Sequence, residues 1–293
     1  MGTSTGQRRA QHIGRVDGCR AGARDVELGS TATAADIVSR LHARFLDWLH
    51  GRCSAFFPHR LALPMLWEGS ACAPDFYFQD ASVTEPSLHL HTDSSPNGYK
   101  VTIALEELGL PYRLHHVRIE QGEHRHPDFL RLNPHGRIPV LEDRGRGIVL
   151  FESAAILLYL AEQGGALLPQ APAARWDAIT WLMFHASSVG PIFGQRVHFE
   201  HFAQERYLPA IERYRHLSED IFAILDARLG ARSWLAGDDY SIADIAHFGW
   251  LHVLRVIDID FSRHRHLLAW YQRVAARPAV QRGVLLPEPA TGP

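Results

Sequence analysis

The chain has 293 residues, 46% apolar and 21% charged, with a formal net charge of -2. That length suits two modest domains, and the balance gives no sign of intrinsic disorder or of an electrostatic pull towards nucleic acid. Its three cysteines, Cys19, Cys53 and Cys72, all fall in the first quarter, so neither a disulfide framework nor a thiolate metal cluster supports the rest, which suits a reducing cytoplasm. No apolar run approaches the roughly 18–20 residues of a membrane span, and the longest stretch, 61–67, is broken by Pro64.

Residues 1–86 read as a poorly ordered extension. Residues 2–34 are rich in Gly, Ser, Thr, Ala and Arg without an apolar period, while Ile37, Val38, Leu41, Phe45, Trp48 and Leu49 recur at the spacing of one amphipathic helix. The arginines at 8, 9, 15, 20 and 24 suit a transit peptide, but Asp17, Asp25 and Glu27 do not. No chemistry is assigned to this segment.

A first domain follows over residues 87–168. Leu88 and Leu90 alternate as in a strand, and Ser95-Pro96-Asn97-Gly98 is a turn that opens a helix through Val101, Ala104, Leu105 and Leu108. Gly109 and Pro111 stop that helix. Leu114, Val117 and Ile119 mark a second strand, and a polar loop carries Phe129 and Leu130. Residues 138–141 and 148–151 then form a hairpin around Gly145 and Gly147, and Ser153 caps a buried helix that ends at Gly164-Gly165. The order is β-α-β, then β-β-α.

After Pro169 and Pro172 no strand signal recurs, and residues 174–290 read as an all-helical domain. Its clearest start is Ser241-Ile242-Ala243-Asp244, a capping box that accounts for Asp244 without catalysis, with Tyr240 and Ile245 spaced as a hydrophobic staple. A break is expected at Gly190-Pro191, and the last helix, through Leu267, Leu268, Trp270 and Val274, stops at Pro278.

The β-α-β-β-β-α half, Asn133-Pro134-X-Gly136-Arg137-Ile138-Pro139-Val140-Leu141, Phe151-Glu152-Ser153 and Ser241-Ile242-Ala243-Asp244 together resemble a glutathione transferase. Ser95-Pro96-Asn97-Gly98-X-Lys100 and Gly190-Pro191-X-X-Gly194-Gln195-X-X-His198-Phe199 resemble, more narrowly, the bacterial Nu-class, disulfide-bond reductases related to the yeast nitrogen regulator. The resemblance spans residues 87–290. It implies an α/β thioredoxin-like domain followed by an all-α domain, glutathione as co-substrate and a homodimer.

In a thioredoxin-like half, free amides at the start of the first helix favour an anion such as a thiolate. Redox members of the fold put Cys-X-X-Cys at that turn, but this sequence has no cysteine after Cys72, so the thiol must come from a ligand. Glutathione supplies one with a pKa near ~8.5, which the site must lower by one to two units at about 1.4 kcal/mol each. A helix terminus offers roughly 0.3–1 kcal/mol, so a direct charge-assisted bond of ~1.5–3 kcal/mol is wanted. The Ser95 hydroxyl and the Asn97 amide are the available donors; the resemblance implies that both serve the sulfur, with serine in place of the usual threonine.

The resemblance further implies a cis Pro139 that exposes the Ile138 backbone to the ligand's cysteinyl amide, with Glu152 and Ser153 receiving the γ-glutamyl end. Arg137 is the candidate partner of the glycine carboxylate, His124 stands where relatives carry glutamine, and Arg213 would reach glutathione across the dimer interface. Trp181, His185, Phe193, Gln195, His198, Phe199 and His201 are candidates for the second substrate's pocket, against the plainer reading of helical core aromatics. Nineteen histidines include His-X-His at 89/91, 124/126 and 264/266, but strand alternation explains such pairs and no metal is expected.

Three functions remain open on the sequence. Bound thiolate reduces a small disulfide without a protein cysteine; or the same thiolate is conjugated to a small electrophile; or the fold binds glutathione as a regulatory module. No nucleic-acid or membrane partner is expected.

Overall fold

The alternation at Leu88 and Leu90 becomes β1 (Leu88–Thr92), and the computed structural model describes residues 85–287 from just before it. The helix read over residues 37–49 and all three cysteines lie outside that range. β1 joins β2 (Tyr112–His116), β3 (Val140–Asp143) and β4 (Ile148–Phe151) in one sheet of order β2-β1-β3-β4. β1 and β2 are parallel, with Leu90 opposite Leu114, whereas β3 runs antiparallel to both β1 and β4. A parallel pair needs a crossover, supplied here by α1 (Pro96–Leu108).

Two expectations change in this half. The second strand ends at His116, because the Val117 amide turns to Thr92 O at 2.9 Å and the Ile119 amide to Asp93 Oδ2 at 3.0 Å, leaving a 3-10 turn at Ile119–Gln121. The polar loop contains a short helix, α2 (Pro127–Leu132), which buries Phe129 against Val117, Ile138 and Val140 on one side of the sheet. On the other side α1 and α3 (Ser153–Gly164) bring Ile103, Leu105, Ile156 and Leu160 onto Leu88, Leu90 and Leu141.

The helical half comprises α4 (Pro172–Phe184), α5 (Gly190–Val197), α6 (Leu208–Ala231), α7 (Ile242–Val256), α8 (Arg265–Ala275) and α9 (Pro278–Gly283). The break expected at Gly190-Pro191 is instead a π turn, His185–Val189, through which the helix runs on. The missing N–H of Pro191 falls just after that turn, where the i→i−4 ladder is already interrupted. Pro278 ends α8 as expected and opens α9.

α7 is buried along nearly its whole length and forms the hub of the core with fully buried Phe248, Phe261 and Trp270. Each such phenylalanine contributes about 1.5–3 kcal/mol through burial. The capping box forms, with Ser241 N donating to Asp244 Oδ2 at 3.0 Å and Ala243 N to Ser241 Oγ at 3.3 Å. Gly249 lets α7 reach the first turn of α1, since a Cβ there would lie 2.5 Å from the Pro96 carbonyl. α9 closes on α1 through Thr102 Oγ1, which donates to Gly283 O at 2.7 Å, and Arg277 grips Glu107 at 2.6 and 2.8 Å. Among the described residues no helix is long and apolar enough to cross a membrane.

Candidate active site

Asp93 is buried before α1, and its carboxylate takes the amides of Ser94 and Ile119 at 2.7 and 3.0 Å, fixing the approach to the helix. Ser95 then caps α1: its Oγ accepts from Gly98 N at 2.9 Å. Pro96 has no N–H, so the amides left at this terminus are those of Ser95 and Asn97. The helix end alone therefore offers an anion less than four free amides would. Asn97, the next residue of the turn, lines a cleft of about 420 Å³ beside it.

Lys100, one turn further on, lines the same cleft and is only 3% exposed. Its ammonium donates to Asn97 Oδ1 at 2.7 Å and Ser153 Oγ at 3.3 Å. Burial pushes its pKa down to about 7, against the pull of the Glu152 carboxylate.

The second wall is the segment before β3. Asn133 is buried and holds it from both sides, donating through Nδ2 to Arg137 O at 2.7 Å and accepting from His135 N at 3.0 Å. Gly136 turns the chain at φ +64°, where a side chain would also press on Arg125. Ile138 and Pro139, joined by the cis bond that the resemblance implies, line the cleft together with exposed Arg137 and His135.

Glu152 and Ser153 complete that side at the start of α3. The cap is Glu152, not Ser153, and it is a non-glycine residue held at φ 73° and ψ 111°. Such a conformation costs about 1–3 kcal/mol and persists where the surroundings impose it, commonly at ligand clamps. Glu152 is exposed and lines the cleft, so the strained residue borders it.

The helical half supplies the opposite wall through His185, Pro191, Gln195, Ala246 and Trp250. His185 is 1% exposed with neither ring nitrogen hydrogen-bonded. Burial, then the nearby Lys100 ammonium, holds its pKa well below the usual imidazole value, so the ring is neutral at physiological pH.

Of the residues expected from the sequence, the cleft brings together Asn97, Arg137, Ile138, Pro139, Glu152, Ser153, His185 and Gln195. Others lie elsewhere. Phe193 is fully buried against Phe222 and belongs to the core, and Trp181 packs on Phe184 and Arg228. His198 is exposed beside Phe199, which stacks on Tyr214, and His201 is exposed on the outer turn. Ser95 caps the helix, His124 lies in a 3-10 turn under Gly136, and Arg213 is exposed on α6. Lys100, His135, Ala246 and Trp250 were missed. The i, i+3 spacing of Asn97 and Lys100 puts them on one helix face and was the available signal for the first.

No group of three or more His, Cys, Asp or Glu placed to hold a metal occurs among the described residues. His89 and His91 instead pair across the sheet, with His115 at 2.9 Å and Glu142 at 2.7 Å.

A thioredoxin-like half bearing a cysteine-free polar turn, set against an all-helical half across a shared cleft, defines the glutathione transferase class of architecture. Family models for the glutathione S-transferase N-terminal and C-terminal domains match residues 94–163 and 198–278. The disulfide-bond oxidoreductase YfcG of Escherichia coli K12 is 37% identical over 203 residues, covering 68% of this chain and 94% of that protein. A solved glutathione transferase of Burkholderia graminis, with two glutathione molecules bound per subunit, superposes with a TM-score of 0.66 at 40% identity over 71% of this chain and 91% of its own. One from Pseudomonas putida, with one glutathione disulfide per subunit, gives 0.66 at 37% over 71% and 94%. The chain belongs to the glutathione S-transferase family.

Proposed function

We propose that the protein reduces small disulfides with glutathione as co-substrate, through a bound glutathione thiolate and no cysteine of its own. The observation that carries this reading is the placement of the Asn97 amide in a cleft shared with Ile138, Glu152 and Ser153, in a chain with no cysteine after Cys72. Asn97 donates to the sulfur, Ile138 pairs with the peptide of glutathione, and Glu152 and Ser153 hold its γ-glutamyl end. The thiolate attacks one sulfur of the disulfide and expels the other as a thiolate. A second glutathione thiolate then attacks the mixed disulfide and releases glutathione disulfide. Two glutathione thiols and one disulfide become glutathione disulfide and two thiols, the two glutathione protons passing to the departing sulfurs. The names and ligands of the relatives support this reading, since one is a disulfide-bond oxidoreductase and another holds glutathione disulfide.

The working unit in this reading is a homodimer in which exposed Arg213 reaches glutathione on the partner subunit. Two parallel assays test the proposal, one with glutathione and 2-hydroxyethyl disulfide, one with glutathione and an aryl halide. Disulfide reduction that is lost in Asn97→Ala is the expected result. Turnover of the halide alone would make the protein a conjugating transferase, and glutathione binding without either turnover would make it a binding module.

A further inference from the structure

The Asn97 side chain can serve a thiolate in only one orientation. Its amide carries a donor end and an acceptor end of nearly the same shape, and the carbonyl oxygen turned to the cleft would repel the sulfur anion. Something must therefore choose the orientation. A lysine ammonium has three donors and no acceptor, so the amide atom that faces it is the oxygen. Lys100 Nζ lies 2.7 Å from Asn97 Oδ1, and Asn97 Nδ2 carries no hydrogen bond among the described residues.

We propose that Lys100 is a positioning residue for Asn97: its buried ammonium holds Oδ1 and leaves Nδ2 turned to the cleft as the donor to the glutathione sulfur. The proposal rests on the glutathione reading above and extends it to a residue that reading does not use. Burying a cation is costly unless it is well paired, and a surface lysine would be the ordinary outcome at a helix position that needed only packing. Lys100 is instead enclosed, with Gly249 of α7 against its stem and Ser153 Oγ as a second acceptor at 3.3 Å. Three titratable groups face the ammonium: Glu152 at the start of α3, His185 in the π turn and His247 on α7. Burial lowers the lysine's pKa to about 7 and the carboxylate pulls it back towards the charged form, while burial keeps both imidazoles neutral. A thiolate bound in the same cleft adds a second negative charge and favours the ammonium further.

The test is the pKa of the glutathione thiol bound to the full-length protein, followed by the ultraviolet absorbance of the thiolate during a pH titration. In Lys100→Met, which keeps the length of the side chain and removes the charge, the bound thiol is expected to titrate about one unit higher, a roughly tenfold loss of thiolate at neutral pH. Calorimetry at a pH where the thiol is protonated should show glutathione affinity changed by less than about threefold, since the ligand's peptide contacts remain. Lys100→Gln, polar and of similar reach, should move the thiol in the same direction and serves if the methionine variant does not fold. The Asn97→Ala/Lys100→Met double variant should shift the thiol no further than Asn97→Ala alone, because Lys100 acts through that amide.

Two results overturn the proposal. One is a thiol pKa unmoved in the folded lysine variants; the other is shifts that add in the double variant, which would make Lys100 a direct electrostatic partner of the sulfur. Failure of the underlying functional reading is seen separately, in the wild-type protein, as glutathione that does not bind or binds without any lowering of its thiol pKa.

Discussion

The indole N–H of Trp270 on α8 donates to Asp244 Oδ1 on α7 at 2.8 Å, and the same oxygen accepts the Leu235 amide at 3.0 Å. With the Ser241 amide on its other oxygen, one fully buried carboxylate ties a loop, a cap and two helices together. Burial pushes this carboxyl's pKa up, while the bonds that converge on it pull the other way. Asp244→Ala strands three buried N–H donors and should cost on the order of 3 kcal/mol or more in urea unfolding. Asp244→Asn, which keeps one of the two acceptor oxygens, strands fewer donors and should cost less. At temperatures where the alanine variant stays folded, its glutathione affinity should match wild type, and a selective loss of binding would contradict the structural role.

Asn97→Ala removes the side-chain amide of the residue that lines the cleft at the start of α1 and that the proposed function makes the donor to the sulfur. Loss of a single preorganised donor to a developing or stored anion typically costs about 10²–10³ in rate. kcat/KM for disulfide reduction should fall by that order while the dissociation constant for protonated glutathione moves only a few-fold. Equal losses in both would show that Asn97 binds the ligand rather than its charge.

Glu152 is expected to trade stability for binding. Glycine tolerates the φ of 73° that glutamate is forced to adopt, so Glu152→Gly should raise stability by about 1 kcal/mol once the greater freedom of the unfolded chain is set against the relieved strain. In the proposed function the same change removes the carboxylate that meets the γ-glutamyl ammonium, and it should weaken glutathione binding about tenfold or more. Thermal unfolding and calorimetry on one preparation read both effects. A destabilised variant would show that the strain is not borne by this residue.

Acid lability follows from the buried imidazoles. His247 and His252 each have a pKa of about 4 in the fold against 6.5 in the open chain, because burial disfavours the charged ring. Between those values the unfolded chain binds more protons than the fold, so stability is fully present above pH 6.5 and declines as pH falls towards 4. His252 stacks on Phe248 and Tyr271, so His252→Phe should flatten the slope of unfolding free energy against pH in that window by up to about 1.4 kcal/mol per unit. An unchanged slope would place the acid sensitivity elsewhere.

Where pattern and chemistry coincide in a short span, the sequence was explicit. The alternation at Leu88 and Leu90, the turn at Ser95-Pro96-Asn97-Gly98 and the Ser241/Asp244 box all appear where read. The helix Pro127–Leu132 was missed because six residues with one buried side chain cannot display a helical period. The π turn at His185–Val189 shifts the facing of α5 relative to α4, so a regular helical period carried through from α4 misplaces its residues; Phe193 and Gln195, two apart on α5, then fall on opposite faces, one in the core and one at the cleft. The burial of Lys100 was illegible for a different reason, although its spacing from Asn97 was not. A lysine on an amphipathic helix reads as solvent-facing, and only the approach of α7 at Gly249 encloses it.

The central claim is that a borrowed thiol, not a cysteine of this chain, does the chemistry. The most direct measurement is the glutathione-dependent reduction of 2-hydroxyethyl disulfide by the full-length triple variant Cys19→Ser, Cys53→Ser, Cys72→Ser, which lacks every cysteine the sequence contains. Full wild-type turnover, abolished on adding Asn97→Ala, is the predicted result. Loss of turnover in the folded cysteine-free protein would contradict the account.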